Sequence, residues 1–207
     1  TTALPVLNPT TIRELRFHSA RSTLSQPIAD ATHTIPAIEF IVCDVELANG
    51  VVGQSYLLSF HYSPQAMRGA CRDLAAFARG RDATATQDFI AQWNCETEYF
   101  GQEGLQRWAL GLANVAMWDA QARTLDVPVW RMLGGSARPV PVYGSGGWLS
   151  YSDDELLAEV RGYVRRGFAA VKIKVGSTEP GRDLARMRKV REGLTTLEEV
   201  LRVTREE

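Results

Sequence analysis

Between Pro139 and Gly176 the chain reads as strand, glycine-rich loop, helix and strand, and a unit of that kind commits a chain to a parallel sheet. The three stretches are PVPVYGSGG, SDDELLAEVRGYVRRG and FAAVKIKVG. The helix is signalled at both ends. Ser152 stands at the cap position, Asp153, Asp154 and Glu155 fill the first turn, and Arg165 and Arg166 close the last turn as the helix dipole favours. Two parallel strands cover neither their own faces nor their own edges, so this unit requires further strands or a partner.

Upstream, the periodicity is different. TIRELRFHSAR is one alternating run, and AIEFIVCDVELANGVVGQSYLLSF is two such runs joined at Asn49-Gly50, a strong hairpin signal. Between them STLSQPIADATHTIPA fits neither period, and it reads as an exposed loop of a length suited to a lid. From Ser63 the period becomes helical: Ser63 and Pro64 open a helix that closes at Gly80. A second long helix is expected over residues 102 to 126, with an apolar stripe of Leu105, Trp108, Ala109, Leu112, Val115 and Ala116. Asp119 falls on that stripe and reads as a structural carboxylate bonded to backbone. The sequence VPVWRMLGG then ends the helical region.

Composition excludes some partners. The chain is 207 residues long, 45% hydrophobic and 23% charged, with a formal net charge of −1. Without a basic field there is nothing to gather nucleic-acid phosphates or an anionic membrane surface, so small molecules are the expected ligands. Cys43, Cys71 and Cys95 are odd in number and widely spaced, which suggests neither a disulfide framework nor a metal cluster and fits a reducing cytoplasm. No leader-like N-terminus and no apolar run of transmembrane length is evident.

Within FAAVKIKVG, alternation puts Val171, Ile173 and Val175 on one face and Lys172 and Lys174 on the other, about 7 Å apart. The β-branched face can be covered by the preceding helix. The lysine face must meet solvent or ligand, because an unpaired buried ammonium costs several kcal/mol. Mutual repulsion at that spacing is on the order of 2 kcal/mol at an effective dielectric of ~20. It suits a division of labour in which one lysine exchanges a proton while the other holds a carboxylate. Solvated lysines guarding an edge strand are the alternative reading of the tripeptide.

Taken in order, GLANVAMWDAQARTLDVPVWRMLGG, VPVYGSGG and GFAAVKIKVG resemble the enolase superfamily, in particular its mandelate racemase-like and muconate lactonizing enzyme-like members. NGVVGQSYLLSF is similar to the family's substrate-capping hairpin, and the likeness covers about residues 10 to 192. It implies an α+β capping domain at residues 1–138, followed at 139–192 by the first βα units of a modified TIM (β/α)8 barrel. It also implies a cytoplasmic, homo-oligomeric enzyme that binds Mg²⁺ and removes the proton α to the carboxylate of a small molecule. Racemases, hydroxy-acid or acid-sugar dehydratases and cycloisomerases all share that chemistry. Carried over by position, Lys174 is the base, Lys172 neutralises the carboxylate and Ser145 donates a hydrogen bond to it. The residues between Pro27 and Ile38, with Ser55 and Tyr56, resemble the segments that close over the substrate's distal part, His33 and Tyr56 foremost. His18 and His61 have no supporting pattern and read as structural.

The likeness is incomplete. A barrel needs about 200 residues, whereas about 70 follow Pro139. The family's three acidic metal ligands belong to the third, fourth and fifth barrel strands, so no ligand is assigned. The expectation is a truncated form, inactive alone; the alternative is a non-catalytic fragment or fusion product that keeps only the capping fold. Residues 193–207, GLTTLEEVLRVTREE, read as an atypical capped helix resembling the closing segment of secretion and pilus-assembly ATPases. No Walker motif accompanies it, and no nucleotide binding is inferred.

Overall fold

The structure, a computed structural model, describes residues 8–59 and 64–193. Ser63 as a cap, His61 and the helical reading of residues 194–207 lie outside the described residues. The chain divides into two compact units. The first holds residues up to Ser22 together with Ile38–Ala137; the second holds Thr23–Ala37 with the residues from Arg138 onward.

Strands β1 (Ile12–Ala29), β2 (Thr34–Leu47) and β3 (Val52–Leu58) form one sheet in that order. β2 and β3 pair antiparallel from Phe40 opposite Leu58 to Glu46 opposite Val52. The expected hairpin turn lies between them: the Gly50 N–H donates to Leu47 O at 2.9 Å, and the Leu47 N–H donates to Val51 O at 2.9 Å. Alternation sorts β2 cleanly. Ile41, Cys43, Val45 and Leu47 are buried, while Asp44 and Glu46 point outward to His18, Gln54, Arg13 and Arg16. Such exposed ion pairs add little stability.

The buried face packs on helices α1 (Pro64–Ala78), α2 (Thr86–Glu96) and α3 (Leu105–Thr124); a 3₁₀ turn at Glu98–Phe100 and a short helix α4 (Val129–Met132) complete the unit. Phe77 packs edge-on against Phe89 and tilted against Trp93, at centroid distances of 5.4 and 5.0 Å. Cys43, Cys71 and Cys95 are free, the first two buried.

The face that α3 buries differs from the expected stripe. Ala109, Leu112 and Ala116 are inside, joined by Ala113, Met117 and Ala120, but Leu105, Trp108 and Val115 are 41%, 53% and 59% exposed. The reason is close approach at Gly53. A Cβ there would collide with Ala116 O and Ala120 N and lie 2.6 Å from Ala120 Cβ. At the closest approach only small side chains fit, so Ala116 and Ala120 face Gly53. Asp119 is structural, as expected: its Oδ2 accepts from the Gln54 N–H at 2.8 Å and from Arg123 Nε at 2.7 Å.

In the second unit, β4 (Gly144–Ser145) pairs parallel with β5 (Val171–Lys172), Gly144 beside Val171 and Ser145 beside Lys172. Helix α5 (Asp153–Arg165) connects them, and α6 (Pro180–Gly193) follows. Ser152 caps α5 in a reciprocal capping box with Glu155. Leu156, Val160, Val171, Ile173 and Val190 form the core, with Tyr163 and Met187 packed against it. Among the described residues no helix is long and apolar enough to cross a membrane.

The segment expected as an irregular loop is a β-hairpin. β1 runs to Ala29 and β2 begins at Thr34, with Ile35 and Ala37 buried and Thr34 and Pro36 exposed. Its prolines hid the alternation. The Asp30 N–H donates to His33 O at 3.1 Å. Pro27 and Pro36 each stand three residues from that pair, where alternation turns the backbone nitrogen out of the ladder.

Gly53→Ala is expected to destabilise the first unit by about 3 kcal/mol or more, because backbone cannot yield as a side chain tip can. Urea unfolding followed by circular dichroism measures the shift.

Candidate active site

β5 has one wet face and one dry one. Val171 and Ile173 are each 8% exposed and packed under α5 and α6, while Lys172 and Lys174 are half-buried on the other face. The parallel register continues beyond the formal strand: the Gly146 N–H donates to Lys172 O at 3.0 Å, and the Lys174 N–H donates to Gly147 O at 3.1 Å. As the parallel partner of Lys172, Ser145 is exposed on the same face. The chain has only three lysines, and two of them meet here.

The loop after β4 is held from several sides. Gly147 has φ +62°, and its N–H donates to Glu159 Oε2 at 2.7 Å. The Tyr163 hydroxyl donates to Ser145 O at 2.9 Å. Burial, then the neighbouring Glu159 charge, pushes the Tyr163 phenol up. From α6 the buried Arg186 donates to Gly147 O at 3.1 Å, Trp148 O at 2.9 Å and Tyr151 O at 3.0 Å. Burial pushes that guanidinium below its ordinary value, with the charge of Arg182 acting the same way. Asp183, one turn earlier, accepts from the Gly176 and Ser177 N–H groups at 2.8 and 2.9 Å, tying down the loop after β5. The Trp148 ring centroid lies 5.4 Å from Lys174 Nζ.

The hairpin tip at 30–33 belongs to the same unit. The Leu149 N–H donates to Ala29 O at 2.9 Å, Gln26 Nε2 donates to Glu155 Oε1 at 3.1 Å, and a Cβ on Gly176 would stand 2.8 Å from Ala31 Cβ. Asp30 shapes the turn by accepting from the Thr32 and His33 N–H groups at 2.9 and 2.8 Å. Burial raises its carboxyl, but these bonds outweigh burial and hold it below the usual range. His33 Nδ1 lies 2.7 Å from Thr32 Oγ1 and 3.8 Å from Asp30 Oδ1.

The second unit therefore brings Ser145 beside Lys172, with Lys174 on the same face, and His33 lies in the same unit at the hairpin tip. Tyr56 belongs to the first unit, 69% exposed and edge-on to Phe40 at 6.0 Å. Its neighbour Ser55 is committed to α3, donating to Leu112 O at 2.6 Å. His18 is engaged with Asp44 at 3.0 Å. Among the described residues, no group of three or more His, Cys, Asp or Glu side chains is placed to hold a metal ion.

Five residues of this arrangement were not singled out from the sequence: Trp148, Glu159, Tyr163, Asp183 and Arg186. GRDLARMRKVRE is so basic that no single arginine stands out. The available signal was spacing, because Arg186 lies three residues after Asp183 and four before the buried Val190, on the inward stripe.

Comparison with known proteins places these features in context. The family model for the mandelate racemase / muconate lactonizing enzyme N-terminal domain matches residues 12–134. A curated relative, 3,6-anhydro-alpha-L-galactonate cycloisomerase of Streptomyces coelicolor, is 26% identical over 88% of this chain and 51% of its own length. Arabinonate dehydratase of Saccharolobus solfataricus is 26% identical over 75% of this chain and 42% of its own. The crystal structure of an enolase from alpha pretobacterium bal199, with bound magnesium, superposes with a TM-score of 0.81 at 28% identity, covering 92% of this chain and 54% of that one. The chain spans about half the length of the curated relatives it matches.

Gly147→Ala tests the loop. It imposes a left-handed conformation on alanine and brings a methyl within 2.6 Å of Ile173 Cβ. The Lys174 amide, bonded to Gly147 O, is expected to exchange with deuterium at least about tenfold faster. Hydrogen-exchange mass spectrometry reads this directly.

Proposed function

The chain belongs to the mandelate racemase/muconate lactonizing enzyme family of the enolase superfamily, and from that premise we propose that it supplies the capping domain and first βα units of a (β/α)8 barrel enzyme. The reaction is Mg²⁺-dependent removal of the proton α to the carboxylate of a small hydroxy or sugar acid, leading to racemisation or dehydration. The single observation that carries this reading is the lysine pair: two ammonium groups on the wet face of a parallel strand whose other face is packed.

In this reading Lys174 Nζ takes the α-proton and the C–H electron pair moves toward the carboxylate. Lys172 neutralises that carboxylate, and the Ser145 hydroxyl donates to it. His33, in the same unit as the lysines, is assigned to the distal part of the substrate. The relatives' names support an acid-sugar substrate, since galactonate and arabinonate are both sugar-acid carboxylates. The enolase relative carries magnesium, whereas the described residues offer no ligand set for one. The steps assigned to this chain therefore belong to its own lysines and serine.

A second reading, a non-catalytic fragment, is favoured by the exposure of Val140, Val142 and Tyr143 beside β4, at 71%, 62% and 55%. Both readings are tested by α-hydrogen exchange in D₂O with Mg²⁺ and a panel of aldonic and aldaric acids. The chain alone is compared with a protein in which it continues through metal-binding strands. The continued protein is expected to exchange, and Lys174→Ala to slow exchange from one face by about a hundredfold or more. Exchange unaffected by Lys174→Ala rejects the assigned role, and no exchange in the continued protein favours the fragment reading.

A further inference from the structure

Arg186 is buried to 1% exposure, yet its hydrogen bonds go to three carbonyl oxygens rather than to a carboxylate. Its Nε is buried without a hydrogen-bond partner, and so is Asp183 Oδ1 one turn away. A guanidinium in that setting is a costly way to stabilise a loop, since three polar bonds only partly offset its desolvation. What the arrangement achieves is placement. Gly147 O accepts from both Arg186 and the Lys174 N–H, so the guanidinium and the lysine strand share one acceptor. The next carbonyl, Trp148 O, is also held by Arg186, and the Trp148 ring faces Lys174 Nζ at 5.4 Å, within cation–π range. On the other side of the loop, the Leu149 N–H is fixed to Ala29 O at 2.9 Å. The backbone that carries the indole is thus held from both sides.

We infer that Arg186 is a positioning residue for Lys174, acting through the Gly147–Trp148 backbone to seat the Trp148 ring over the Lys174 ammonium. Lys172 alternates with Lys174 on the same strand, and no ring contact involves it among the described residues. The device therefore makes the two lysines unequal: both are half-buried, but Lys174 faces an aromatic ring and Lys172 does not. Its catalytic meaning rests on the reading of Lys174 as proton acceptor, but the placement itself does not.

With only three lysines in the chain, competitive acetylation resolves each one. Wild type, Trp148→Leu, Trp148→Phe and Arg186→Met are treated with limiting acetic anhydride from neutral to alkaline pH, and each lysine is quantified by peptide mass spectrometry. Trp148→Leu and Arg186→Met are expected to raise Lys174 acetylation by about two- to fivefold, with Lys172 and Lys189 unchanged, while Trp148→Phe stays near wild type. If Arg186→Met does not fold, Arg186→Gln takes its place, and the same rise is required. An unchanged Lys174 in Trp148→Leu or in the Arg186 variant overturns the inference. So does a parallel rise of Lys172 and Lys174, which would mean that these residues only stiffen the strand. Acetylation does not depend on turnover, so a Lys174 that fails to accept a substrate proton would sink the functional reading and leave this result standing.

Discussion

An unpaired ammonium taken out of water costs several kcal/mol, and β5 with the extended residues that follow it carries two, separated by one residue, on a single face. Period-two alternation leaves one arrangement that avoids the cost. Val171 and Ile173 go under α5 and α6, and Lys172 and Lys174 go to the wet side. The rest of the second unit follows from this. The glycine-rich loop after β4 lies close enough to bond the lysine strand, α6 fastens both loops through Arg186 and Asp183, and the hairpin tip is bonded to the loop that carries Trp148.

The first unit rests on a different constraint, the distance between α3 and β3. Gly53 removes the side chain where Ala116 and Ala120 come nearest, and the alanines of α3 line the gap. This row explains why Trp108 and Val115, apolar and at helical spacing, face outward. Hydrophobicity alone could not identify the buried face, because both faces of α3 are apolar. The close approach at Gly53 fixes which side of α3 faces the sheet.

The legible features were those with a local cause. Asn49-Gly50, Ser152 as a cap and the alternation of β5 each depend on neighbours within a few residues, and all three stand in the structure. Asp119 also behaves as the backbone-bonded carboxylate it resembled. The features missed depend on distant partners. The hairpin over residues 23–37 was obscured by Pro27 and Pro36, whose positions outside the ladder are fixed only once Asp30 and His33 pair. Arg186 was hidden among other arginines, since its three acceptors lie 35 to 39 residues earlier in the chain. The lysine pair was visible because alternation along one strand sets it with no information from elsewhere; Ser145 came only from the family resemblance, and the parallel register stands it beside Lys172.

The central claim is that this lysine face is a carboxylate site, and it is tested most directly by NMR of the chain with its lysines reductively ¹³C-methylated. Titration with a small 2-hydroxy acid is predicted to shift the Lys172 and Lys174 signals together and saturably, while Lys189, engaged with Asp153, serves as the reference and does not move. Lysine signals that stay still, or a Lys189 that shifts as much as the pair, would contradict the account.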